Sequence, residues 1–194
     1  MNIIAGRHRG RKLKAPRGQG TRPVLGKVRE ALFNALGDIS GLKVLDLFAG
    51  TGAVGMEALS RGAESLVAVE KSHAAARSIR ENLVLLGETA EVIQGDVFPA
   101  LRRLGSENRT FDLVFIDAPY EKGMSQRAVL EVFGQGLVAR TGLVAVTVRR
   151  KEVMPGEEGW EGELLPENTG IVFDRRYGDT RLVVYGKTGL SAED

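Results

Sequence analysis

From Lys43 onward the chain alternates between two rhythms. Lys43–Phe48, Ser65–Glu70, Glu91–Gly95, Phe111–Ile116 and Leu143–Val148 are short segments rich in apolar residues, the pattern of strands buried on both faces. Between them, Ala53–Arg61, Ser72–Leu86, Pro99–Leu104 and Ser125–Phe133 carry helical spacing. This alternation predicts an α/β fold, a mostly parallel sheet with helices on both faces. The end of the chain differs. Ile171–Phe173 and Arg181–Tyr185 flank a Tyr-Gly-Asp turn with no helix between them, so they predict a C-terminal antiparallel hairpin that brings the sheet to seven strands.

Ahead of the sheet, Asn2–Ala5 and Arg11–Lys14 predict a small β-hairpin, and Pro16–Gly20 a loop. Leu25, Val28, Leu32, Ala35 and Ile39 predict a helix with Thr21 as N-cap, Pro23 in its first turn and Gly37 at its stop. Lys151–Asn168 predicts a polar loop around the only tryptophan, Trp160.

A chain of 194 residues with no cysteine is long enough for one core and excludes disulfides and thiolate metal sites. His8 and His73 are the only histidines, too few for a histidine zinc site, so no metal is expected. No apolar leader or membrane-spanning run occurs, which predicts a cytoplasmic protein without membrane attachment. Charge changes the picture more. Residues 1–29 hold nine Lys/Arg and no acid, while the rest holds 18 bases and 25 acids, a net of −7. A basic segment on an acidic body is a footprint of polyanion binding. We therefore divide the chain into a basic nucleic-acid-binding arm, 1–20, and a main domain, 21–194.

The first strand runs into VLDLFAGTGAVG, where Gly50, Gly52 and Gly55 satisfy G-x-G-x-x-G between a strand and a helix. Several nucleotide cofactors use such loops, NAD among them. The acids discriminate. Asp46 precedes the glycines, where a carboxylate repels a pyrophosphate but suits the ammonium and sulfonium of S-adenosylmethionine. Glu70 ends the second strand, placed to accept from ribose hydroxyls, and Asp96 ends the third, placed for adenine. Capping of the following helix is the plainer role for both.

The fourth strand, FDLVFI, delivers Asp117-Ala118-Pro119-Tyr120 to the same edge. This resembles the Asp/Asn-Pro-Pro-Tyr/Phe motif of enzymes that methylate exocyclic amino groups, with Ala118 in place of the first proline. An amino nitrogen conjugated to a base is a poor nucleophile. A carboxylate and a backbone carbonyl that accept its two hydrogens orient its lone pair for attack. Beyond this motif, RGRKL, TRP, VREALFNAL, LDLFAGTGAVGMEALSRGA and YGDTRL together resemble the bacterial RsmD-type family of 16S ribosomal RNA (guanine-N2) methyltransferases.

The resemblance implies a Rossmann-like class I methyltransferase fold with S-adenosylmethionine as cofactor and S-adenosylhomocysteine as product. It implies methylation of N2 of a 16S rRNA guanine within an assembled or nearly assembled small subunit, by a monomer. Asp46, Gly50 and Gly52 would cradle the methionine end, Glu70 the ribose and Asp96 the adenine, with Phe48 and Val97 also in the cofactor site. Asp117 and the Ala118 carbonyl, shaped by Pro119, would hold the guanine amino group under Tyr120. Arg7, Arg9, Arg11, Lys12 and Arg22 would contact RNA. From the residues alone, a non-catalytic ribosome-assembly protein and an adenine-N6 or DNA amino-methyltransferase remain open.

Overall fold

The computed structural model describes residues 1–15, 23–119 and 123–188. Thr21, Arg22, the 16–20 loop and Tyr120 lie outside them. Seven strands form one sheet: β1 (Lys43–Leu47), β2 (Ser65–Glu70), β3 (Glu91–Gln94), β4 (Phe111–Ile116), β5 (Val138–Arg149), β6 (Thr169–Tyr177) and β7 (Thr180–Lys187). Their order is β3-β2-β1-β4-β5-β7-β6. The first five run parallel, and β7 inserts antiparallel between β5 and β6.

Helices α1 (Pro23–Leu36), α2 (Ala53–Ser60), α3 (His73–Leu86), α4 (Val97–Ser106) and α5 (Met124–Gly134) cover the sheet. Alternating strand residues feed two cores. Leu45, Leu47, Val114, Ile116 and Val146 pack with α4 and α5, while Val44, Leu113, Phe115 and Ala145 pack with α1, α2 and α3. The second core also takes Ile3 and Leu13, so the basic segment is anchored by two buried apolar side chains.

The elements expected from the pattern are present, with instructive shifts at their ends. α4 starts at Val97 rather than Pro99 because Asp96 caps it, its carboxylate accepting from Phe98 N at 3.1 Å. Pro99 then sits in the first turn, where its missing N–H costs nothing. β5 and β6 extend beyond the apolar runs that predicted them. Their added residues, such as Arg140, Thr141 and Asp174–Arg176, are polar and largely exposed, which hides a strand from an apolar search. The N-terminal hairpin is the larger correction. Its strands reduce to a single bridge, Asn2 to Lys12. Three backbone bonds reinforce it: Ile3 N to Arg11 O, Gly10 N to Ile3 O and Leu13 N to Met1 O, at 2.8–3.0 Å.

Candidate active site

β1 and β4 are neighbours, yet the chain leaves β1 for β2 on one side and β4 leads to β5 on the other. Open α/β sheets bind ligands at such a switch point, outside the strands' carboxyl ends. Strand register decides which side chains meet there. Asp46 pairs with Phe115, and Phe115 with Ala145. Two residues further on, with the same parity, stand Asp117 and Thr147. Asp46, Asp117 and Thr147 therefore project from three adjacent strands toward the α1–α3 face, and all three line one pocket.

The backbone of the glycine loop is shaped for close approach. Phe48 takes φ 57°, a left-handed conformation costly for an aromatic residue, and Gly52 takes φ 75°. Gly55 is required by contact instead: a Cβ there would stand 2.6 Å from Leu66 Cδ2. Its absence lets α2 settle onto the sheet, and Gly55 N donates to Asp46 Oδ2 at 3.1 Å. Glu70 braces the loop from β2. One oxygen accepts from Gly50 N and the other from Ser72 N, both at 2.7 Å.

Asp46 is 1 % exposed. Burial, with Asp117 and Glu70 nearby, pushes its carboxyl up to about 7, against the pull of the Gly55 bond. A buried carboxylate short of positive partners is a receptor for a cationic ligand. Asp117 is half-buried at the end of β4, where its N–H donates to Leu47 O at 3.5 Å. The Thr147 hydroxyl donates to Asp117 Oδ1. Ala118 is buried and Pro119 exposed.

The predicted residues thus divide by place. Asp46, Phe48, Gly50 and Asp117 share the pocket. Glu70, Asp96 and Val97 lie along the same sheet edge outside it, and Asp96 serves as the α4 cap, also held by Lys71 Nζ at 3.3 Å. Arg7 is exposed and ion-paired: its guanidinium grips Glu88 at 2.7 and 2.9 Å, and His8 Nε2 meets the same carboxylate at 2.5 Å. His8 is half-buried. Arg9, Arg11 and Lys12 are exposed and form no ion pair among the described residues. Arg22 and Tyr120 lie outside the described residues.

Three functional residues escaped sequence reasoning. Thr147 gave no signal beyond being a polar residue inside the apolar run LVAVTV. Arg29 and Glu57 looked like ordinary helix charges but are 4 % and 0 % exposed. Glu57 accepts from Ile4 N and Ala5 N at 2.8 and 2.9 Å, and from Arg61 Nε at 2.9 Å. Arg29 donates to Asn2 O at 2.6 Å and Ala53 O at 3.4 Å. Together they dock the arm so that Met1 and Arg29 form a wall of the pocket.

A glycine loop after β1, a carboxylate at the end of β4, and a sheet closed by an antiparallel β7 define a Rossmann-like class I methyltransferase fold. A family model described as Conserved hypothetical protein 95 matches residues 1–186. Ribosomal RNA small subunit methyltransferase D of Haemophilus influenzae is 35% identical, with 91% of this chain and 93% of the relative covered. Its Escherichia coli counterpart is 34% identical over 80% and 78%. Among solved structures, the Escherichia coli protein yhhF superposes with a TM-score of 0.84 at 30% identity, covering 98% of this chain and 99% of that one. The chain belongs to the RsmD family of bacterial ribosomal RNA methyltransferases. Among the described residues no helix is long and apolar enough to cross a membrane, and no side-chain cluster is suited to a metal ion.

Proposed function

We propose that this protein transfers a methyl group from S-adenosylmethionine to the exocyclic N2 of a guanine in 16S rRNA, acting in the cytoplasm, as a monomer, on an assembled or nearly assembled small subunit. One observation carries the reading: Asp117, oriented by Thr147, faces the same pocket as the buried Asp46 and the glycine loop. The names of the relatives, small subunit rRNA methyltransferase D, support the substrate class.

The residues fit the cofactor. Asp46 offers a carboxylate to a cationic amino-acid end. Gly50 and Gly52 let the backbone approach it. Each Glu70 oxygen already accepts one backbone N–H and keeps further acceptor capacity for ribose hydroxyls. Asp96 and Val97 stand one strand further along, for adenine. When bound, S-adenosylmethionine supplies an electrophilic methyl group.

The chain's own part is positioning. Asp117 and the Ala118 carbonyl accept the two amino hydrogens, aligning the nitrogen lone pair toward the pocket. Thr147 holds the carboxylate in that orientation. Tyr120 is assigned the stacking role on the splayed-out base. Arg9, Arg11, Lys12 and Arg22 approach RNA phosphates.

The test is methyl transfer from labelled S-adenosylmethionine to unmodified small subunits and, in parallel, to their naked RNA, followed by nucleoside analysis. N2-methylguanosine is the expected product. A different methylated base would overturn the target, and no transfer with cofactor bound would overturn the activity.

A further inference from the structure

A second recess lies beside the pocket and is used by nothing above. It has a volume of about 580 Å³, within the ~300–1,000 Å³ range of ligand sites. It is continuous in sequence with the proposed catalytic residues. Gly123 and Gln126, at the start of α5, follow the Asp117–Tyr120 motif, and Arg149 follows Thr147 by two residues. Its far wall is Trp160.

The indole is held as a platform. Its Nε1 donates to Glu163 O at 2.8 Å. Gly162 packs so closely that a Cβ there would stand 2.3 Å from the ring. Gln126, 9 % exposed, closes the base of the recess. Its Nε2 donates to Val153 O at 3.0 Å, and its Oε1 is buried without a hydrogen-bond partner. The rim carries two exposed basic residues, Arg149 and Lys151. Two acids also border the recess. Glu152 is partly engaged, accepting from Arg149 N at 3.3 Å, and Glu161 is exposed.

A fixed aromatic face under a basic rim, next to an acceptor lacking a donor, matches the chemistry of an unpaired nucleotide. The base stacks, the phosphates meet the cations, and a base N–H can satisfy the acceptor. We infer that this recess holds the unpaired RNA nucleotide next to the target guanine, with Trp160 stacking on its base. The inference rests on the proposed RNA-methylating function. It adds a contact that holds the strand open while the target enters the Asp117 pocket.

Trp160 is the only tryptophan, so its fluorescence reports this recess alone. A short single-stranded RNA carrying a guanine would be titrated into the protein saturated with S-adenosylhomocysteine. Binding would be followed by anisotropy of labelled RNA and, separately, by tryptophan emission. Quenching that tracks the anisotropy is expected. In steady-state methylation of small subunits, Trp160→Leu should raise the KM for substrate roughly tenfold with kcat and cofactor affinity unchanged, and Trp160→Phe should keep most of the affinity. Anisotropy that rises without quenching would overturn the subsite and leave the methyltransferase reading standing. So would a Trp160→Phe variant as impaired as Trp160→Leu, since the indole would then act only as a loop anchor. Failure of the wild type to bind or methylate any RNA would overturn the subsite together with the reading beneath it.

Discussion

The glycine loop and the N-terminal arm border the same pocket but are built in opposite ways. The loop is made by backbone conformation over a few residues, from Phe48 to Gly55, and its acid partner Asp46 lies nine positions before Gly55. The arm has one bridge and a few backbone bonds of its own. It is shaped by side chains far along the chain: Glu57 on its Ile4 and Ala5 N–H groups, Ser60 on His8 N and Ala5 O, and Asn82 on both polar groups of the Lys14 backbone. Gly6 sits so tightly that a Cβ would fall 1.9 Å from Ser60 O. A binding site can thus have one wall specified locally and another specified by buried acceptors in distant helices.

The largest expected effect falls on the chemical edge. Asp117→Ala should lower kcat by ~100-fold or more while leaving S-adenosylmethionine affinity within about twofold, measured by steady-state kinetics and calorimetry. Matching losses in both would show that the carboxylate supports the loop and not the base. On the arm side, Glu57→Gln removes a buried charge from between Arg29 and Arg61, and should destabilise the fold by ~3 kcal/mol. Denaturant melts would give the magnitude. Hydrogen exchange should show faster exchange at Ile4 and Ala5 with the glycine loop unchanged. Equal exchange in both regions would mean the two walls form one unit.

Proton linkage sharpens the comparison further. The folded Asp46 carboxyl holds its proton to about pH 7, well above an unfolded aspartate. The folded state therefore binds more protons in that window, and stability falls as pH rises from the ordinary carboxylate range through 7. Asp46→Asn should flatten that part of the pH–stability profile. In the wild type, a cation bound at the charged form should bind roughly tenfold tighter at pH 8 than at pH 6. A flat calorimetric profile would place the cationic end of the cofactor elsewhere. Thr147→Val should cost ~10-fold in kcat, with recovery in Thr147→Ser. If serine fails to recover activity, the loss is one of packing. Smallest of all, neutralising Arg9, Arg11 and Lys12 to Gln should reduce the slope of log affinity against log salt by about 2–3, whereas Arg7→Gln, whose charge Glu88 already meets, should change it less. Equal slopes for the two variants would break the distinction between docked and free arm residues.

The same contrast explains what the sequence disclosed. Parallel strands buried on both faces and a glycine turn leave contiguous signals, so the sheet, the loop and the place of Asp117 at the end of β4 were legible. Thr147 was not, because its partner lies 30 residues away on a neighbouring strand. The buried roles of Glu57 and Arg29 left no signal, because burial of an ion pair is a property of the packed helices. Arg7 seemed to have no acid partner because Glu88 is 81 positions away. β6 was underestimated for a different reason: half-exposed, it carries polar residues along an edge strand that pairs on one side only, with β7.

That last strand bears on how copies of the chain avoid one another. β6 and β3 are the sheet's two edges, where unpaired backbone groups invite strand-to-strand aggregation. β3 is only four residues long. β6 is longer but sets Asp174, Arg175 and Arg176 in succession along its outer half, and an incoming strand would have to desolvate them. The placement of β7 adds an ordering requirement. β6 is made before β7 yet can join the sheet only through it, so β6 stays outside the sheet until β7 has formed. Until then β5 itself presents an open, apolar edge. Aggregation during refolding should therefore depend more on how fast β7 covers that edge than on the stability of the finished sheet.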